Sequence, residues 1–439
     1  MALVRESDRW ILQLHDSDNV ATGLIEIPAG AHISVKKKLS AVSQIPRGHK
    51  IALDTINRGE PIRKYDQVIG FATNHIMKGE HVHTHNVEVN RVDLVHSFCV
   101  DNGWKNRMKP NGPSHFEGYA RGNGKSGTRN YIGVLTTVNC SATVARFIAS
   151  AFTEEKLGAY PNIDGVVSLV HGTGCGMAGS GEGMDNLTRL LCGYASHANF
   201  GGILLVGLGC ESVQLKNIVE ALGEGNKSTF QYFNIQDTGG TRSTVEHGIA
   251  IVESMLGEVN QISREKIPTS ELVMALQCGG SDSYSGITAN PALGYASDIL
   301  IAHGGTSILA ETPEIFGAEH LLTRRSCNRR VAEKLLDRIV WWEDYTKRNY
   351  GEMNNNPSPG NKAGGLTTIL EKSLGAVAKS GNAPLIDVVL YGEQIKQKGF
   401  HFMDSPGYDP ASITGQVASG ASVVCFTTGR GSVFGCKPV

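Results

Sequence analysis

Apolar positions follow two rhythms, and the change comes near residue 118. Over residues 1–95 they fall in short runs, WILQLH, GLIEI, HKIALD, IRKYDQVIGFA and HVHTHNVEV, separated by Gly, Pro and Asn. That punctuation predicts a small unit of short strands. Residues 96–117, HSFCVDNGWKNRMKPNGPSHFE, lose the periodicity and gather Asn, Gly, Pro and Lys, as a linker does. From 118 onward continuous apolar runs alternate with helical patterns. YIGVLTTV precedes SATVARFIASAF, and IDGVVSLV, GGILLVGLG, ELVMALQ, DILIAHGGTSILAE, PLIDVVLYG and ASVVCFTTG follow. Strands buried on both faces read this way, and helices between them imply largely parallel α/β layers. The polar stretch 224–268 reads as helical and divides the remainder into 118–262 and 263–439. Residues 328–350 carry the apolar spacing of an amphipathic helix.

Composition adds limits. A chain of 439 residues exceeds one hydrophobic core, so several domains are expected. A net charge of −1 supplies no field for nucleic acid or an anionic membrane. No run approaches the roughly 18 apolar residues of a membrane span, and the charged start MALVRESDRWILQLH is not a secretory signal. Nine cysteines form no CxxC pair, which predicts reduced thiols in the cytoplasm. The 53 glycines gather in short clusters, suited to backbone packed close to a ligand.

Candidate chemistry lies where strands end. TTVNC, LVHGTGC, LVGLGC and MALQC each close a strand on a cysteine: Cys140, Cys175, Cys210 and Cys278. Ligands of open α/β sheets bind beyond those carboxyl ends, so four such thiols could share one metal or reactive centre. As single residues they could equally be small buried fillers. HGTGCG at 171–176 lacks both the dinucleotide glycine spacing and the Lys-Ser/Thr of a P-loop. HVHTH at 81–85, taken as a strand, sets three imidazoles on one face about 6.6 Å apart, suited to a metal or an anion. His49 stands alone in PRGHK. ETPE brings Glu311 and Glu314, NPSPGNKAGG brings Asn361 and Lys362, and TTGRG brings Arg430. Carboxylates, amides and these cations suit a hard cation beside an anionic, hydroxylated substrate.

With these pieces assembled, the chain resembles the altronate/galactarate dehydratase family. The resemblance rests on GYARGNGKSGTRNYIGVLTTVNCSA, HGTGCG, VGLGCE, QCGGSDSYSGITANPALGYASD, ETPEIFGAEHLL, NPSPGNKAGG and FTTGRGS, with DSDNVA, PRGHKIAL and GEHVHTHN in the N-terminal module. It implies an N-terminal β-clip (SAF-like) domain, a linker, a second α/β domain used in homodimerisation, and a Rossmann-like C-terminal catalytic domain. It also implies ferrous-iron-dependent dehydration of a sugar acid, giving a 2-keto-3-deoxy acid. Ca²⁺ or Mn²⁺ could stand in for Fe²⁺, and an iron–sulfur cluster on the strand-end cysteines is the weaker cofactor alternative. Rival activities are a sulfo-lyase acting on sulfolactate and a non-catalytic sugar-acid-binding protein. Relatives continue past the TTGRG strand, so either the sequence is truncated or a final layer is missing.

Elimination from a 2,3-dihydroxy carboxylate needs removal of a weakly acidic α-proton and expulsion of hydroxide, and a divalent metal assists both. The expected catalytic residues are Asp282, His171 and Glu314. Cys175, Cys278, Glu311 and Asp282 are the expected metal ligands. Substrate contacts are assigned to Arg129, Asn130, Ser281, Asn290, Asn361, Lys362, Arg430, His83 and His85.

Overall fold

The computed structural model describes residues 10–33, 39–90, 96–101, 103–104, 108–122, 124–222 and 229–439. The N-terminal module is a set of short antiparallel strands, among them a four-stranded sheet whose third member is Lys50–Ala52 and whose edge is His81–Val82. HVHTHNVEV is not one strand. His81–Val82 ends at a turn, and a second strand resumes at Val87–Glu88. Asn86 makes the turn: its backbone N–H donates to His83 O (3.0 Å) and its Oδ1 accepts from the His83 N–H (2.9 Å). The period-two expectation for these histidines therefore fails, because an Asn side chain satisfies the backbone in place of a ladder.

The second unit holds a four-stranded parallel sheet, β1 (Tyr131–Thr136), β2 (Gly165–Leu169), β3 (Phe200–Gly207) and β4 (Phe230–Asn234), in the order β2-β1-β3-β4. Alternate residues of β3 enter two cores: Leu204 and Val206 face helices Ala142–Ser150 and Thr241–Asn260, while Ile203 and Leu205 face Glu182–Ala195. Strand β4 lies inside the stretch read as helical. Its aromatic run FQYFN marks a short edge strand, too brief to dominate the polar window around it. The linker reading also shortens, since His115–Ala120 is a strand paired antiparallel to Glu265–Pro268.

The C-terminal unit is a five-stranded, all-parallel sheet: β5 (Val273–Cys278), β6 (Thr306–Leu309), β7 (Leu385–Val389), β8 (Gly399–Met403) and β9 (Val423–Thr427), ordered β7-β8-β6-β5-β9. The chain moves from β5 to β6 on one side and returns to β9 on the other, so the crevice above β5 is a topological switch point. The predicted amphipathic helix forms at Arg329–Arg348, with the Asn328 side chain accepting from Val331 N–H.

The N-terminal module is built into this unit. Val20, Ile62, Ile69 and Val82 belong to the same buried apolar cluster as Leu276, Leu309 and Phe402. Across that seam Lys50 Nζ lies 2.8 Å and Lys64 Nζ 2.9 Å from the Glu371 carboxylate, all three side chains being essentially inaccessible. No helix among the described residues is long and apolar enough to cross a membrane.

Candidate active site

Above β5 the chain turns through Gly279 and Gly280 into a short helix, Ser283–Ile287. Asp282 caps that helix: its Oδ1 accepts from Ser285 N–H at 2.8 Å, and Ser285 Oγ returns a bond to the Asp282 backbone. A single residue thereby fixes the angle at which the loop leaves the sheet. The loop floors a cavity of about 390 Å³, lined by Cys278, Ser281, Glu314, Asn361, Lys372 and Arg430 with Asn356, Ser358, Tyr408 and Asp409.

Two buried lysines organise the acids. Lys372 Nζ is 2.7 Å from Glu314 Oε1 and 2.9 Å from Asn356 Oδ1, and Asn356 Nδ2 donates to the same Glu314 oxygen. Lys379 Nζ donates to Cys278 Sγ at 3.0 Å and lies 4.0 Å from Glu311 Oε2. Glu311 adopts φ +74°, a left-handed conformation rare outside glycine, at a fully buried position. Such strain persists only where the surroundings enforce it, and it clusters at working sites.

The environments separate the carboxyls. Burial, then the neighbouring Glu314 charge, pushes Glu311 well above the usual carboxylate range. Burial also opposes ionisation of Glu314, but Lys372 and then Lys379 outweigh it and hold Glu314 below that range. Asp409, on the cavity lining, is raised by burial and then by Glu314. Glu311 Oε2, Glu314 Oε2 and Asp282 Oδ2 are buried with no hydrogen-bond partner, an unusual concentration of unused acceptors.

Of the residues singled out in the sequence, Cys278, Ser281, Glu314, Asn361 and Arg430 meet at this cavity. Asp282 and Glu311 stand behind its wall. Asp282 is spent on the helix cap, with Arg430 Nε 3.6 Å away. Asn290 is a buried strut, bonded to Gly375 O and to Thr427 Oγ1. Lys362 lies in the loop helix Pro359–Ala363 but does not line the cavity. His171, Cys175, Arg129 and Asn130 are placed in the second unit. His171 Nε2 bonds Thr136 O, Arg129 pairs with Asp164, and buried Asn130 donates to Asn162 O and Val259 O.

The four strand-end cysteines divide in the same way. Cys140, Cys175 and Cys210 are exposed at the ends of β1, β2 and β3, whereas Cys278 is buried in the other sheet. Cys175, Cys278, Glu311 and Asp282 therefore do not surround one point; similar strand endings belong to two separate sheets. Among the described residues, the group whose ligand atoms all lie within 4.8 Å of one another is His49, His81 and His83. His85 adds a fourth ring, 5.3 Å from His81 by centroid. Burial holds His81 at about 4 and His83 at about 3, so both rings are neutral at pH 7.

Sequence reading missed Lys372, Lys379, Asn356 and Asp409. A signal existed for the lysines: ILEKSLGAVAKS places three charges in an otherwise apolar helical run, where a charge needs a buried partner.

Comparison with known proteins decides the family. The model described as "D-galactarate/Altronate dehydratase, C-terminal" matches residues 269–439, "D-galactarate dehydratase/Altronate hydrolase, second domain" matches 118–260, and "Altronate/galactarate dehydratase SAF domain" matches 9–90. The chain belongs to the altronate/galactarate dehydratase family. It is 38% identical over 429 residues to "Altronate dehydratase" of Bacillus subtilis (strain 168), covering 97% of this chain and 84% of that protein. Against "Galactarate dehydratase (L-threo-forming)" of Escherichia coli (strain K12) the identity is 36%, covering 98% and 83%. A "(2R)-sulfolactate sulfo-lyase subunit beta" of Chromohalobacter salexigens matches less, at 32% over 73% of this chain and 79% of that subunit.

Proposed function

We propose that this family member, a sugar-acid dehydratase, binds an altronate- or galactarate-type acid in the cavity above β5 and eliminates water there. The observation that carries the reading is a pair of cavity-lining carboxyls driven apart, Glu314 held ionised and Asp409 held toward its neutral form, between Lys372 and Arg430. Pairs separated in this way divide into base and acid. Arg430 and Lys372 hold the substrate carboxylate, while Ser281, Ser358 and Asn361 take its hydroxyls. Glu314 accepts the proton from C2. The Lys372 ammonium stabilises the charge that develops on the carboxylate as that proton leaves. Asp409 donates a proton to the C3 oxygen as the C3–O bond breaks, so the leaving group departs as water. The resulting enol tautomerises to the 2-keto-3-deoxy acid.

Iron is the cofactor that the family resemblance leads one to expect. A divalent ion, when bound, supplies stabilisation of the enediolate and polarisation of the departing oxygen. These acids fit it poorly as a set, because Glu314 is paired with Lys372 at 2.7 Å while Glu311 and Asp282 do not line the cavity and lie 4.0 Å from Lys379 and 3.6 Å from Arg430, so no step here runs through it. The parallel sheet with helices around it supports a Rossmann-like C-terminal domain of altered strand order. Exposed Phe147 and Tyr232 on the second unit support a homodimer through that unit.

The test separates the two proton transfers. Anaerobic assays with added Fe²⁺ screen hexonates, hexarates and sulfolactate, scoring keto product and sulfite, and the best substrate is carried forward. Glu314→Gln should lose both turnover and exchange of the C2 proton with deuterated solvent, by about 10²–10⁴-fold. Asp409→Asn should lose turnover while keeping the exchange. Near-normal turnover by the Glu314 variant refutes the assignment.

A further inference from the structure

The geometry points to a divalent transition-metal site on His49, His81 and His83, at the seam between the N-terminal module and the loop that walls the cavity. The three rings come from two separate segments. His49 follows the PRG turn, where Gly48 takes φ +84° and an added Cβ would meet Gly364 O at 3.3 Å, and His81 and His83 lie at the end of the strand that pairs directly with the one His49 leads into. Ring centroids are 5.2 Å apart for His49–His81, 4.4 Å for His49–His83 and 5.4 Å for His81–His83.

The hydrogen bonds fix which nitrogens are free. His49 Nε2 faces Ala363 O at 3.3 Å. A carbonyl only accepts, so this nitrogen carries the proton and Nδ1 presents its lone pair. Anchoring the distal N–H on a backbone carbonyl is the usual support of a ligating histidine. His49 Nδ1 in turn lies 3.0 Å from His81 Nε2, and here His81 must donate. Two nitrogens held by one ion at about 2.1 Å and at right angles would stand about 3.0 Å apart, so an ion can replace that single shared proton with little movement of either ring. On binding, the His81 proton passes from Nε2 to Nδ1, so the ring stays neutral and Nε2 is freed for the ion. A further observation is independent of this pair: His83 Nδ1 is buried and bonded to nothing. The His83 backbone is tied by Asn86, whose Nδ2 also donates to His81 O at 2.9 Å, so the turn is preset.

Imidazole ligands select Fe²⁺, Co²⁺ or Zn²⁺ over the hard cations that prefer oxygen. Lys50 and Arg430 act on His49 as like charges and Glu371 offsets them only in part, so the remaining positions of the ion suit anionic oxygen, the class to which a sugar acid's carboxylate belongs. Because His49 is anchored on the loop carrying Ser358, Gly360 and Asn361, an occupied site would also brace the cavity wall.

The test uses the full chain, stripped with chelator, and titrates it with Co²⁺ and anaerobically with Fe²⁺ by calorimetry. It follows the visible Co²⁺ spectrum and the shifted imidazole N–H resonances, and uses no activity assay. One equivalent should bind with histidine signals. His49→Gln and His83→Gln should each weaken it by about 100-fold. Glu314→Gln and Glu311→Gln should leave it within about threefold. Melting temperatures confirm folding, and should a histidine variant not fold, carboxyethylation of the wild-type rings by diethylpyrocarbonate, blocked by bound Co²⁺, reads the same contact. Absence of binding, or binding lost in the glutamate variants and kept in the histidine variants, overturns the proposal. The dehydratase reading above survives either result.

Discussion

Removing the charge on Glu371 should unseat the N-terminal module. Lys50 and Lys64 reach across the seam to opposite oxygens of this carboxylate, at 2.8 and 2.9 Å, and Thr367 adds backbone and hydroxyl donors to Oε2. At an effective dielectric near 20, each contact is worth about 6 kcal/mol of gross attraction, most of which offsets the desolvation of the ions. The measurable quantity is the cost of breaking the set. Glu371→Gln keeps the shape and leaves two ammonium groups buried against a neutral amide, a defect of about 3–5 kcal/mol. Spread over the C-terminal unit and its docked module, that lowers the melting temperature by roughly 10 °C. Differential scanning fluorimetry reads the shift, and limited proteolysis between residues 88 and 118 reads release of the module. The triple variant Lys50→Met, Lys64→Met, Glu371→Leu is the control, since well-packed apolar replacements of a buried ionic cluster are about neutral. A Glu371→Gln melting point within 2 °C of the parent, or a triple variant as unstable as the single one, would refute the argument.

Two further outcomes follow from local structure. Burial raises Glu319 from 4.5 to about 7 and leaves its Oε2 without a partner. The folded state thus holds a proton that the unfolded chain releases near pH 4.5, so stability falls as pH rises from about 4.5 through 7. Glu319→Gln should therefore gain on the order of 3 kcal/mol at pH 8 and nothing at pH 4, checked by urea melts at both; equal shifts at the two pH values contradict it. Gly365 has φ +100° and would place a Cβ 2.2 Å from Gly48 O, a backbone atom of the docked module. Gly365→Ala should cost about 1–3 kcal/mol and speed proteolytic release of that module, and unchanged melting would count against the close approach.

The sequence by itself carried the layer architecture and the family. Continuous apolar runs such as GGILLVGLG can be buried on both faces only in a parallel sheet, and local backbone needs put glycines and caps at strand ends, so QCGGSDS was legible as a strand tip. It also located half of the cavity: Cys278, Ser281, Glu314, Asn361 and Arg430 come from four motifs and meet in space.

What it could not carry was which strand tips share a rim. Cys175 and His171 look equivalent to Cys278 in one dimension, yet β2 pairs with β1 and β5 pairs with β6 and β9, and hydrogen-bonded partners alone sort strands into sheets. Aromatic FQYFN and the HVHTH turn were misread for the same cause, since neither an edge position nor an Asn-closed turn leaves a periodic trace. The buried lysines and the histidine trio lay further out of reach. Lys64 and Glu371 are 307 residues apart, and His49 meets Ala363 across 314. A buried charge is tolerable only beside its counter-charge, and a coordinating ring is recognisable only beside its fellows. Both conditions concern distance in space, so they were decided when the small module packed its apolar face onto the C-terminal sheet's flank.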